Sequence, residues 1–239
     1  MESFFDLYSL RARTAPAAIF FIPPLLLFLA WWPFEYNEHV FLVLTTVSIL
    51  VLILFSQVVR SSGQRAQTNL YKNWGGKPSV LALRHNNPLI DSSIKQRYHH
   101  ILANKIPDVV MPSKKSEAEN TAFADTQYNV ASEWLLSNTR DKSKYPLIFA
   151  ENVNYGFRRN MYGLKKHAII LYQPILMLNI VFLFEKWITP TKNIGSLDIL
   201  SGISCPLLLA AWVFIIKPSW VKETADDFAR QLYKACDSI

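Results

Sequence analysis

His85, Asp91, His99 and His100 are the residues of this chain whose side chains could gather a metal ion. A zinc site needs three or four such groups converging on one point. On a helix the neighbours His99 and His100 diverge by about 100°, so one of them at most can face His85. Metal binding by His85 and His99 is the sharper reading, and packing histidines the simpler one. The run Trp74-Gly75-Gly76-Lys77-Pro78 offers backbone amides, an aromatic face and the Lys77 ammonium, a set able to hold a phosphate or a base. It reads equally as a helix stop, and the stop is preferred.

The densest polar run is Glu151-Asn152-Val153-Asn154-Tyr155-Gly156-Phe157-Arg158-Arg159-Asn160, followed closely by Lys165 and Lys166. Arg158, Arg159, Asn160, Lys165 and Lys166, with Lys77, are the candidate anion ligands. Lipid phosphates are the expected partner, and a nucleotide or another anion the sharper alternative. There is no Gly-x-Ser-x-Gly, no His-Glu-x-x-His and no phosphate loop. No catalytic residue and no cofactor are therefore expected. Cys205 and Cys236 are badly placed for a disulfide, since one lies inside an apolar run and the other close to the last residue.

The elements that must position these residues are set by four apolar runs. Thr14 to Phe34 is 21 residues without a charge, enough at about 1.5 Å per residue to cross a hydrocarbon layer of about 30 Å. Pro23-Pro24 should break its hydrogen-bond ladder and kink it. The run follows Arg11 and Arg13 as a signal peptide would, but it lacks a cleavage pattern and reads as a retained anchor. Val40 to Val59 returns after a short turn, with Trp31, Trp32, Phe34 and Tyr36 expected as an aromatic belt. Ala168 to Phe184 and Ile199 to Ile216 form a second pair. Gly202, Ala210 and Ala211 in the last run are candidates for close helix packing, within the bundle or between subunits.

Charge placement gives the orientation. Of 25 Lys and Arg, 23 fall before the first run, between the second and third, or after the fourth. Lys186 and Lys192 lie on the other side. The positive-inside rule then puts both termini and the insert in the cytoplasm. The spans hold no ionised residue, which counts against ion-coupled transport. The net charge of +7 would suit nucleic acid, but nearness to lipid accounts for it and direct nucleic-acid binding is not expected.

The insert reads as helical. The second span should continue through Leu70 and Trp74 to Gly75-Gly76, with Pro78 preventing resumption. A helix capped by Asp91 should bury Ile94, Tyr98, Ile101 and Leu102 and end before Pro107. Another, with Ser116 and Glu119 as a capping box, should bury Phe123, Val130, Ala131, Trp134 and Leu135. In the tail, Trp220, Thr224, Phe228, Leu232 and Cys236 recur at i, i+4 and need a cover. Trp220, Phe228 and Leu232 are therefore candidate partner contacts, with the insert the preferred cover over lipid.

The expected architecture is an all-α membrane protein of four transmembrane helices in two hairpins. It comprises an N-terminal arm (1–13), a hairpin (14–59), a mainly helical cytoplasmic insert (60–166), a second hairpin (167–217) and an amphipathic tail helix (218–239). Trp74 to Pro78, Leu83-Arg84-His85, Arg97-Tyr98-His99, Thr139-Arg140-Asp141 and Asn154 to Asn160 resemble runs in uncharacterised multi-pass bacterial membrane proteins. The layout is also similar to membrane effectors of phage-defence systems of the retron and cyclic-nucleotide types. They carry no established activity over; because the insert joins directly to the second and third runs, the expectation is a homo-oligomer in the bacterial inner membrane, whose insert senses a ligand or protein partner and whose spans perturb or permeabilise the bilayer. A scaffold or accessory subunit is the alternative, and a membrane-bound enzyme on lipid or nucleotide the third.

Overall fold

The computed structural model describes residues 6–31, 38–107, 109–189, 191 and 193–239. Trp32, Phe34, Tyr36 and Lys192 lie outside them. Every regular element among the described residues is helical. They are α1 (Leu7–Trp31), α2 (Glu38–Trp74), α3 (Pro78–Leu83), α4 (Ser92–Lys105), α5 (Lys114–Glu119), α6 (Thr121–Asn138), α7 (Pro146–Ile188), α8 (Ser196–Phe214) and α9 (Pro218–Lys234). Helices α1, α2, α7 and α8 are long and apolar enough to cross a membrane. The chain divides into two compact units, Met1–Ala66 with Gly156–Pro218 and Gln67–Tyr155 with Ser219–Ile239.

In the first unit α1 packs along α8. Helix α1 contains Pro16, Pro23 and Pro24 and still runs without a break. A proline has no N–H to give to the carbonyl four residues back, so the carbonyls of Ala12, Ile19 and Phe20 lose that donor. In a bilayer an unsatisfied carbonyl is costly. Helix α7 supplies the missing donors. The Asn160 carboxamide donates to the Ala12 carbonyl at 2.6 Å, and the Tyr172 hydroxyl lies 3.0 Å from that of Ile19 and 3.2 Å from that of Phe20. Just ahead of Pro16, residues Leu10–Thr14 make a π turn, with the Ala15 N–H reaching back to Leu10. The pair of prolines that promised a kink is thus accommodated by side chains of another helix. Tyr172→Phe should cost about 1–3 kcal/mol, because the two carbonyls lose the one hydroxyl hydrogen they share. A fall in the thermal midpoint of the purified protein checks it, with Tyr162→Phe, half-buried, as comparison.

Helices α2 and α7 approach closely at a pair of glycines. A Cβ on Gly163 would lie 2.6 Å from the backbone of Ser62 and Gly63, and one on Gly63 would overlap the Asn160 carboxamide. At Gly156 a Cβ would come within 2.7 Å of the Tyr8 hydroxyl and 3.1 Å of Ala12. Gly156, Asn160 and Gly163 stand at i, i+4, i+7, one stripe of α7, where small residues let helices close on each other. Farther along, Phe55 stacks on Phe20 with ring centroids 5.0 Å apart. The buried Ser201 donates to Asn179 at 2.6 Å, which satisfies the two polar side chains against each other. Lys186 pairs with the buried Asp198 at 2.8 Å, and Asp198 also accepts the Gly195 N–H to close the start of α8.

The second unit has one apolar core. It joins Val80, Leu83, Tyr98, Leu102, Tyr128, Leu135 and Ile148 with Ala229, Leu232, Tyr233 and Cys236 of the tail. Four expectations need correction. Pro78 does not stop the chain from resuming a helix: it opens α3 at its first position, where the missing N–H is not needed. Ser116 and Glu119 do not form a capping box. Ser113 caps α5 through the Ser116 N–H, and Asn120 then caps α6 through that of Phe123, because a short polar side chain at the extended residue answers the donor three residues on. The buried face of α6 is Ala124, Tyr128, Ala131, Ser132 and Leu135, leaving Phe123 45% and Val130 43% exposed. On α4 likewise, Lys95 is buried and Ile94 exposed, since the carbonyls inside require a donor there.

Candidate functional site

The polar centre of the second unit is arranged around α3. All six of its residues are buried, so its terminal carbonyls must find donors away from water. Two side chains of α4 provide donors to its last carbonyl and to those of the turn that follows. The Nε2 of His99 donates to the Leu83 carbonyl at 2.9 Å, and the Lys95 ammonium donates to the carbonyls of Arg84 at 2.7 Å and Asn87 at 2.6 Å. A cation at the C-terminal end of a helix also suits its dipole. At the other end the Tyr233 hydroxyl donates to the Ser79 carbonyl at 2.6 Å, and the Ser132 hydroxyl to that of Ser79 at 2.8 Å.

Glu117 balances the buried cation. Only 6% exposed, its carboxylate accepts the His85 backbone N–H at 3.0 Å and the Tyr128 hydroxyl at 2.7 Å. Beside it Arg84 holds Asp125 through two nitrogens, a fork geometry that favours strong pairing. That hydrogen bond raises the Arg84 pKa. Burial lowers the Lys95 pKa, against the pull of Glu117, and burial followed by the Glu117 hydrogen bond raises that of Tyr128.

His99 is pushed down to about 4 by burial, with the Leu83 hydrogen bond opposing. The unfolded ring titrates near 6.5, so below that pH the unfolded chain takes up a proton that the folded one refuses. Stability is full above about pH 6.5 and is lost as the pH falls towards 4, by up to about 3 kcal/mol. His99→Gln keeps an N–H for Leu83 and should flatten this acid limb. Hydrogen exchange across 67–155 between pH 7 and pH 4.5 reads it.

The metal reading meets a different geometry. The rings of His85 and His99 lie 5.0 Å apart edge to face. Their Nε2 atoms turn to separate carbonyls, that of His85 to Pro112 at 2.9 Å. His100 is exposed and Asp91 caps α4 through Ser93. Among the described residues no three His, Cys, Asp or Glu side chains form a group suited to a metal.

The anion candidates are not gathered at one point. Lys77 pairs with Glu133 in the second unit. In the first unit, Asn160 is buried between α1, α2 and α7, and Arg159 donates to its carbonyl oxygen at 3.3 Å. The Lys165 ammonium reaches the carbonyls of Val213 at 3.1 Å and Ile216 at 2.7 Å, closing the end of α8. Arg158 is half-buried and Lys166 exposed. Asn160 and Lys165 are thus committed to the fold, because each answers carbonyls that a proline or a helix end has freed.

The packing candidates divide as well. Leu183 fills the place of a Gly202 side chain, 2.9 Å from where its Cβ would be. Ala210 is exposed and Ala211 half-buried. In the tail, Leu232 is fully buried in the core of the second unit, while Trp220 and Phe228 are half-buried, Phe228 stacking on Tyr155 with centroids 6.5 Å apart. Thr224, Leu232 and Cys236 of the expected ridge are buried, and the buried face of the tail also takes in Val221, Ala225, Ala229 and Tyr233.

Sequence reasoning missed Glu117, Lys95, Tyr172, Gly63 and Gly163. A proline in an apolar run is the signal that calls for a polar side chain on a neighbouring helix, and α7 carries Asn160 and Tyr172 at suitable depths. No family model, curated protein or solved structure matches the chain.

Proposed function

We propose that this chain is an integral membrane protein in which a polar helical module receives a protein partner or ligand and a four-helix bundle answers by perturbing the bilayer. One observation supports the coupling above others. Helices α2 and α7 each run unbroken from one compact unit into the other. A partner preferring one arrangement of the module would then bias the bundle, to the extent of its differential affinity. In this reading the spans form two hairpins, with the module and both termini in the cytoplasm. The charge asymmetry supports that orientation, since Lys186 on the opposite side is already neutralised by Asp198. Self-association draws on the small residues of α8, of which Ala210 is exposed, and a bacterial inner membrane with a role in anti-phage defence draws on the resemblances in sequence and layout. Induced expression with a potential-sensitive dye is the test. Depolarisation is expected for the natural chain and not for Asn69→Pro, which interrupts α2. An unchanged potential with and without phage challenge counts against the reading.

A scaffold role draws on a separate observation. Phe123, Gln127, Val130 and Trp134 lie on one face of α6 at i, i+4, i+7, i+11, and exposed Val110 meets Gln127 through its N–H. Phe123 and Val130 are the exposed apolar members of this face, and exposed apolar residues grouped on a polar module are a common mark of a protein partner. A stoichiometric co-purifying protein, lost with Phe123→Asp, would favour this reading. An enzyme would need His99, Asp91 or Glu151 to converge, and each is engaged elsewhere, His99 with Leu83, Asp91 with Ser93 and Glu151 with Asn154.

A further inference from the structure

We propose that Arg11, Arg60, Arg65, Lys166 and Lys217 form a collar that docks anionic phospholipid headgroups around the first unit. This rests on the membrane reading above and adds the lipid class.

Contacts within the unit bring four of these side chains to one level. Gly63 and Gly163 meet backbone to backbone. Arg60 and Lys166 each stand three residues from their glycine towards the apolar run, about 4.5 Å along the axis. The Ala12 carbonyl receives Asn160, one turn before Gly163, which places Arg11 beside the same crossing. Lys165 reaches the Ile216 carbonyl, which brings the exit of α8 and Lys217 there too. Arg65 lies two residues beyond Gly63, on the side away from the apolar run. All five are exposed, and among the described residues none of them enters an ion pair, in contrast to Lys77, Arg84 and Lys186. Among the described residues of the unit, Asp6 is the one carboxylate on this side of the apolar runs.

The cations sit on α1, α2 and α7 and at the exit of α8, so they do not converge on one anion. Cations distributed over several helices at the margin of apolar runs match a layer of phosphates. Such clusters draw anionic lipid electrostatically.

The test uses the full chain in nanodiscs made from equal phosphatidylcholine and phosphatidylglycerol, followed by mass analysis of the lipids retained on transfer to detergent. Phosphatidylglycerol should be enriched about tenfold over the bulk ratio. The enrichment should fall towards unity in Arg11→Gln/Arg60→Gln/Arg65→Gln/Lys166→Gln/Lys217→Gln and persist in Lys114→Gln/Lys115→Gln. If the quintuple variant does not fold, raising the salt on the natural protein should itself release phosphatidylglycerol. Retained lipid matching the bulk ratio overturns the proposal. So does displacement of phosphatidylglycerol by millimolar inorganic phosphate at constant ionic strength, which would mark a single-anion site. Failure of the membrane reading shows separately, as release of the chain by alkaline carbonate without detergent.

Discussion

Gly163→Val is expected to abolish the folded protein, or to lower its stability by about 3 kcal/mol or more. Small-to-large changes typically cost about 1–3 kcal/mol where side chains can move aside. Here the added atoms would meet the backbone of Ser62 and Gly63 at 2.6 Å, which has no rotamer to change. The helices must separate, and the Asn160 bond to Ala12 would be strained with them. Gly195→Ala is the matched control, because its Cβ would meet only Asp198 at an ordinary 3.6 Å. Detergent-solubilised yield and the thermal midpoint of both variants decide the point. A Gly163→Val protein that melts with the natural one would show that α2 and α7 do not cross at Gly63.

Glu117→Ala is the second large effect, about 2–5 kcal/mol, because two buried donors lose their acceptor. It leaves the Tyr128 hydroxyl and the His85 N–H without their acceptor, and removes the negative charge that acts through space on the Lys95 ammonium, 2% exposed. Glu117→Gln retains one oxygen as acceptor and should cost less, about 1–3 kcal/mol. The ordering of the two, read from urea unfolding, separates a charge-balancing role from simple packing. Equal and small losses would mean that the cluster does not hold α3 in place.

The extent to which this was legible from sequence follows from range. Apolar runs long enough to cross a bilayer announce themselves locally, and the helices α1, α2, α7 and α8 follow from them. Asp91 as a cap and the double glycine after Trp74, both with φ above zero at 80° and 150°, are also local signals. What escaped depends on pairs distant in sequence. Nothing near Pro23 says that Tyr172 will answer its missing hydrogen bond, and nothing near Lys95 shows that the carbonyls of Arg84 and Asn87 will lie over it. Periodicity also misplaced the face of α6. Phe123 and Val130 are more hydrophobic than Ala124 and Ser132, yet the smaller residues are buried because α3 approaches closely there, with Ser132 bonded to Ser79. Among the candidate anion ligands, charge type was legible and engagement was not: Lys165 carries the right group but uses it to close α8.

In the proposed topology four helices cross a bilayer with the helical module and both termini on its cytoplasmic side. Single cysteines placed in a Cys205→Ser/Cys236→Ser background and treated with a membrane-impermeant maleimide on intact cells test it most directly. Lys114→Cys in the module should label only after lysis, and Ile194→Cys, between α7 and α8, should label in intact cells. Labelling of Lys114→Cys from outside, with Ile194→Cys protected, would contradict the account.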